Sequence, residues 1–430
     1  MPNRLLSGGR NLGAWLARVA PLIAQASRLP PYPVSAFGRQ TVAAASCHPF
    51  TVNLAVFFTL SLIVFRRNAE FLFYGGDGTF EASLIEQFPA FAPPLIGFTS
   101  DILRGLGNVV FTVNPYWIPA YFLPLSWQGA YTNFALTYAI CATEIFTAIY
   151  LTARMVQLPQ LVGIAGGWLA PLIVMPYFGF GLIPHSSAAF PHYGTVQAVA
   201  MLLAASCLAA NVRSWAGAVT AGAVLTLGIG FIAIVAPTLL LLALPIVGMC
   251  AFLSCIGAPG RREALLRLLT YGSVVALCLA VFGAFVAGLF LGSTASFFKS
   301  LSIRPATVQD ISVAFWQPYP LFGGYKLFIV GGLIGAALLA WAGRGPARLM
   351  GAGVLLTEAT FFAIGGLQLI RPFWFGPALW YFEGFIFFYL ALCSAAGAYI
   401  ALRLPTVLVA SLIRRLASRL PAPQLVPSTV

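Results

Sequence analysis

Residues 51–70 read TVNLAVFFTLSLIVFRRNAE, with no charge before Arg66 and Arg67. About 20 consecutive apolar residues are what an α-helix needs to cross the hydrocarbon core of a bilayer. Windows of the same kind lie at about 131–153, 159–180, 194–211, 215–234, 237–257, 268–292, 326–342, 349–370 and 376–402. They predict an all-α fold, a polytopic transmembrane helix bundle of about ten spans, within roughly 9–12. The fifth and sixth windows are joined only by a tight turn around Pro237. Residues 404–413 (LPTVLVASLI) are too short to span and are expected to lie along the surface.

Composition agrees. Apolar residues make up 60% of the chain, charged residues 8%, and the mean hydropathy is +0.92. So few charges could not cover the surface of a soluble chain this long. The net charge of +13 comes from scattered residues, not runs, which argues against nucleic acid as a partner. Arginine supplies nearly all the positive charge, the lysines being Lys299 and Lys326. With abundant Ala, Gly and Pro, that usage suggests a GC-rich bacterial genome. Cys141, Cys207, Cys250, Cys255, Cys278 and Cys393 fall in apolar windows, where they act as small hydrophobes. No zinc-ligand spacing and no disulfide framework is evident. Residues 11–28 (NLGAWLARVAPLIAQASR) have a faint signal-peptide look, but Arg18 interrupts them, so a cytoplasmic or interfacial helix fits better.

Charge orients the bundle. With a cytoplasmic N-terminus, ten spans place Arg154, Arg213, Arg261, Arg262, Arg267, Arg344, Arg348 and Arg403 inside with the N-terminal and C-terminal arginines. The acids reverse the bias: Glu263 alone is inside, while Glu70, Asp77, Glu81, Glu86, Asp101 and Asp310 are outside. The expected organisation is a cytoplasmic or interfacial segment 1–50, a membrane domain 51–402, and a basic tail 403–430. Both termini would face the cytoplasm of a bacterial inner membrane. Two outer loops, 71–130 and 293–325, carry aromatic and proline-rich stretches such as NPYWIPAYFLPLSW (114–127) and FWQPYPLFGGYK (315–326). Trp and Tyr favour the headgroup level, so these loops are expected on the outer membrane surface.

The stretch FYGGDGTFEASLIEQFPAF (73–91) concentrates acids just beyond the first window. A turn followed by a capped helix explains Asp77 and Glu86 without any chemistry. A catalytic loop explains them too. A carboxylate on Asp77 could deprotonate a hydroxyl or hold a divalent metal such as Mg or Mn against a phosphate. Glu81, four residues on, shares its face if the helix begins near Asp77. Glu144, Glu358 and Glu383 lie within apolar windows, so each should face a cavity or a partner. Of these, Glu383 in RPFWFGPALWYFEG (371–384) is best placed to join Asp77. For Glu144 and Glu358 the favoured expectation is a protonated acid bonded to a neighbouring helix. Arg304 and Arg371 are the best candidates for gripping a lipid phosphate, though interfacial anchoring would serve as well. His185 and His192 bracket the turn IPHSSAAFPHY and could serve as acid/base groups or metal ligands. No Gly-Lys-Ser/Thr phosphate loop, HExxH or GxSxG motif occurs.

The order of these features resembles the GT-C superfamily of polytopic glycosyltransferases, which use polyprenyl-phosphate sugars. GGDGTFE stands where that family carries its acidic catalytic residue, just after the first span. The resemblance implies sugar transfer at the outer face, with Asp77 as base or metal ligand and Glu81 as a second acid. It further implies Arg304 or Arg371 on the leaving phosphate, and loop 293–325 beside the lipid donor. The chain departs from the family in flanking Asp77 with glycines rather than a second acid, and in lacking a C-terminal soluble domain. A secondary transporter or lipid flippase working through Glu144, Glu358 and Glu383 is the competing reading, with a noncatalytic membrane subunit a third.

Overall fold

The computed structural model describes residues 49–67, 129–179, 191–235, 237–291, 323–366 and 388–403. All of the secondary structure among them is α-helical. The helices are α1 (Pro49–Arg67), α2 (Gly129–Met155), α3 (Gln160–Gly179), α4 (Pro191–Ala209), α5 (Trp215–Val235), α6 (Pro237–Ile256), α7 (Arg261–Leu291), α8 (Gly323–Ala342), α9 (Gly345–Gly366) and α10 (Phe388–Arg403). Each overlaps one apolar window, α10 being described only from Phe388 of the window 376–402. By length and composition, α1 and the Trp215–Ile232 stretch of α5 can cross a membrane.

Local chemistry sets the helix ends. Pro191 and Pro237 open α4 and α6, where the missing N–H costs no helical hydrogen bond. At the end of α2, Leu158 N–H bonds Ala153 O at 2.8 Å and Gln157 N–H bonds Arg154 O at 3.1 Å. That is a Schellman closure with Gln157 in the left-handed position, φ 63°. The seventh helix departs from the apolar window: it starts at Arg261, not near 268. Its first turn is polar yet helical, because Glu263 suits the positive end of the helix dipole.

Helix α2 packs against α1, α3 and α4, and α4 also packs against α5, α6 and α9. The α1–α2 pair is antiparallel and held by aromatic rings. Phe50 stacks on Tyr150 at 4.1 Å, Phe57 meets Phe146 at 4.8 Å, and Phe65 meets Tyr138 at 5.3 Å. Trp168 of α3 closes on the same cluster, edge-on to Phe57, and donates to Asn53 Oδ1 at 3.0 Å. Close contacts elsewhere depend on glycine. A Cβ on Gly335 of α8 would overlap the carbonyl of Cys393 on α10, and one on Gly332 would come within 2.7 Å of Leu390 Cβ. These pairings advance together along both chains, so α8 and α10 run parallel.

The interior is built of small residues, including Ala135, Ala139, Ala153, Ala200 and Ala204, together with Ile and Leu. Phe146, Phe388 and Tyr389 are fully buried among them, while other large apolar side chains face outward. On α1, Val52, Val56, Leu60 and Ile63 form one exposed stripe, and on α5 Val219 and Leu227 are 68% and 75% exposed. Many small residues at the helix contacts, with exposed apolar stripes on the outside, suit helices packed in hydrocarbon. In water such stripes would be an aggregation hazard.

One end of the bundle carries a charged clamp. Arg267 of α7 is 7% exposed and bonds the Glu263 carboxylate at 2.6 Å, Ala210 O at 2.9 Å and Ser254 O at 3.0 Å. The last two are carbonyls at the C-terminal ends of α4 and α6, left without helical partners. The guanidinium therefore caps two helices and faces the negative ends of their dipoles. Arg213 approaches the same glutamate at 3.6 Å, and Tyr271 donates to Cys207 O at 3.2 Å. Arg344 and Arg348 belong to this end too, because Gly257, just past α6, lies against Leu349 near the start of α9.

Candidate functional site

Helices α1 and α4 both pack on α2, and between them they leave a groove open to the side. Its volume is about 480 Å³, and it is lined by Phe58 of α1, by Ile140, Thr143, Glu144 and Thr147 of α2, and by Thr195 and Leu202 of α4. That volume lies within the roughly 300–1,000 Å³ typical of small-molecule sites. The walls are apolar apart from Glu144 and the threonines.

Glu144 is fixed from the opposite wall: Thr195 Oγ1 donates to its Oε2 at 2.7 Å. Thr143 and Thr147 turn their hydroxyls back onto Ala139 O at 2.7 Å and Thr143 O at 2.8 Å. Such bonds to the preceding turn hide the hydroxyl from a greasy surround. Glu144 is thus the group in the groove equipped to bond a ligand or exchange a proton.

Glu358 differs. It is 6% exposed on α9, and its Oε2 has no hydrogen-bond partner among the described residues. Gln197 on α4 is buried with both amide atoms unpaired, again among the described residues. The expectation of a cavity or partner for each acid within an apolar window therefore holds for Glu144, which has both. Among the described residues, Glu358 Oε2 shows no partner.

His192 falls in the first turn of α4, three positions before Thr195. Asp77, Glu81, His185, Arg304, Arg371 and Glu383 lie outside the described residues, as do the expected outer loops 71–130 and 293–325 except for 129–130 and 323–325, which are helical. No group of three metal-ligating side chains occurs among the described residues. The metal expected at Asp77 therefore has no ligand set among the described residues. Sequence reading missed Thr195 and Gln197. A threonine or glutamine within an apolar window was the available signal, but not which helix it faces.

No family model matches this sequence, and neither a curated protein nor a solved structure does.

Proposed function

We propose that this chain is a polytopic membrane glycosyltransferase that moves a sugar from a polyprenyl-phosphate donor to an acceptor at the outer face of a bacterial inner membrane. The bundle would have about ten spans, with both termini cytoplasmic. The observation that carries this reading is the sideways-open, largely apolar groove beside α1. An isoprenoid chain could enter it from the bilayer without crossing water. Arg66 and Arg67 occupy the last turn of α1, at headgroup depth in this orientation, where a phosphate would sit. Asp77 follows Arg67 by ten residues, within reach of that surface.

In this scheme the acceptor hydroxyl gives its proton to Asp77 as its oxygen attacks the anomeric carbon. The bond from that carbon to the phosphate oxygen breaks, and polyprenyl phosphate leaves with the electron pair. Arg304 or Arg371 stabilises the charge growing on that phosphate. A single displacement inverts the anomeric centre.

The deciding experiment supplies membranes containing the chain with radiolabelled polyprenyl-phosphate sugars and follows label into glycan. Asp77→Asn should abolish transfer at unchanged protein levels. Full transfer by that variant would overturn the assignment. A second reading, proton-coupled transport of a lipid or solute, draws on Glu144 in the groove and on the buried Glu358, whose Oε2 has no partner among the described residues. It requires Glu144→Gln or Glu358→Gln to stop uptake while Asp77→Asn does not.

A further inference from the structure

We infer that the lipid-facing seam between α5 and α7 is a binding site for the phosphate headgroup of an anionic phospholipid, with the acyl chains lying along the seam. The inference rests on the membrane-spanning reading but not on the sugar transfer.

The seam is pinned at two levels. Arg213 meets Glu263 at 3.6 Å at the charged end, and a Cβ on Gly222 would touch Thr270 Cγ2 at 3.2 Å further along. Both pairings advance in the same direction, so α5 and α7 run parallel, side by side. Ala218 and Leu266 pack within the contact. Helical register then puts Trp215 and Val219 on the outward flank of α5, and Arg262 and Leu269 on the outward flank of α7. All four are exposed, Trp215 at 65%. Gly222 adds no side chain between the flanks, leaving a shallow apolar trough.

Charge crowns the trough at one end only. Glu263 is held by Arg267 at 2.6 Å inside the bundle. Arg267 and Arg213 share the one Glu263 carboxylate, so the cluster keeps a net positive charge. Arg213, its side chain 75% exposed and at 3.6 Å the longer of the two contacts, and Arg262, exposed, carry cationic charge at the mouth. Two guanidiniums about one opening offer the forked donors that phosphate oxygens accept in pairs. Trp215 sits at the same level, where its ring suits the boundary between headgroup and acyl chain. A zwitterionic lipid would bring its own cation to the arginines, so the site favours a net anionic headgroup. Anionic lipid on the cytoplasmic leaflet attracts basic residues within a Debye length of the surface.

The test uses the full chain purified in detergent, with native mass spectrometry counting retained lipid. Diphosphatidylglycerol, phosphatidylglycerol and phosphatidylcholine are the probes, and free glycerol phosphate is the competitor. The chain should retain diphosphatidylglycerol at least tenfold better than phosphatidylcholine. The double variant Arg213→Gln/Arg262→Gln should lose that preference, whereas Arg344→Gln, an arginine removed at another turn, should keep it. Equal retention of phosphatidylcholine, an unaffected double variant, or displacement by millimolar glycerol phosphate alone would each overturn the inference. A double variant that fails to fold would show in its elution profile, and the single variants Arg213→Gln and Arg262→Gln then carry the same test. Extraction of the chain from cells without detergent would instead sink the membrane reading itself.

Discussion

Thr195 and Glu144, 51 residues apart in sequence, are joined by a 2.7 Å hydrogen bond across the α2–α4 contact. The bond leaves a carboxyl group on the wall of an otherwise apolar groove, held in one orientation. Replacing Thr195 by valine keeps the shape and removes the donor. Interhelical hydrogen bonds in membranes are worth about 0.6–2 kcal/mol. Thr195→Val should therefore lower resistance to unfolding in detergent by about that much, and Thr195→Ser should restore it. Denaturant titration of the purified chain measures both. An unchanged midpoint for valine would mean that Glu144 finds another partner in the groove.

Arg267 predicts a larger effect. Its removal strands the buried Glu263 carboxylate and two helix-end carbonyls at once. Breaking a buried charge pair from one side costs about 3–5 kcal/mol. Arg267→Met should cost that much in the same titration, and the double change Arg267→Met/Glu263→Met should recover part of it. A double variant as unstable as the single would locate the cost in the carbonyls of Ala210 and Ser254 instead.

The difference between these two pairs also marks how far the sequence could be read. Hydropathy finds each helix because an apolar window is a local property, and Glu144 and Glu358 stand out within their windows as isolated charges. The start of α7 is invisible to the same test, since Arg261, Arg262 and Glu263 are polar and still helical. Positive charge assigned Arg267 to the cytoplasmic side, but its role as a double cap depends on α4, α6 and α7 converging. Thr195 is one hydroxyl among many until α4 is laid against α2. The catalytic assignment to Asp77 and Glu81 rests on position after α1 alone, because those residues fall outside the described helices. Local chemistry is legible in one dimension; pairing across helices is not.

Gly335 gives a steric prediction with an internal control. A Cβ there would collide with the Cys393 backbone, which cannot rotate away as a side chain could. Gly335→Ala must push α8 and α10 apart, losing packed surface over several turns. Overpacking of this kind costs typically about 1–3 kcal/mol. Gly248, inside α6, has nothing among the described residues within 4 Å of its added Cβ. Gly248→Ala should stabilise by roughly 0.5–1 kcal/mol, the usual gain of alanine over glycine within a helix. Thermal unfolding followed by helical circular dichroism should move in opposite directions for the two variants.

Gln157 points to a stabilising change. It closes α2 in the left-handed region at φ 63°, where a Cβ crowds the carbonyl oxygen and glycine is the usual occupant. That conformation costs a non-glycine residue roughly 1–2 kcal/mol. Some of this returns in the unfolded chain, where glycine has more freedom to lose. Gln157→Gly should therefore raise stability by about 1 kcal/mol or less, and Gln157→Val should lower it, since branching at Cβ worsens the clash. The Leu158 to Ala153 bond that completes the closure should persist in the glycine variant. Amide exchange at Leu158 would then slow in Gln157→Gly, and faster exchange there would show that the glutamine side chain, not the backbone turn, holds the end of α2.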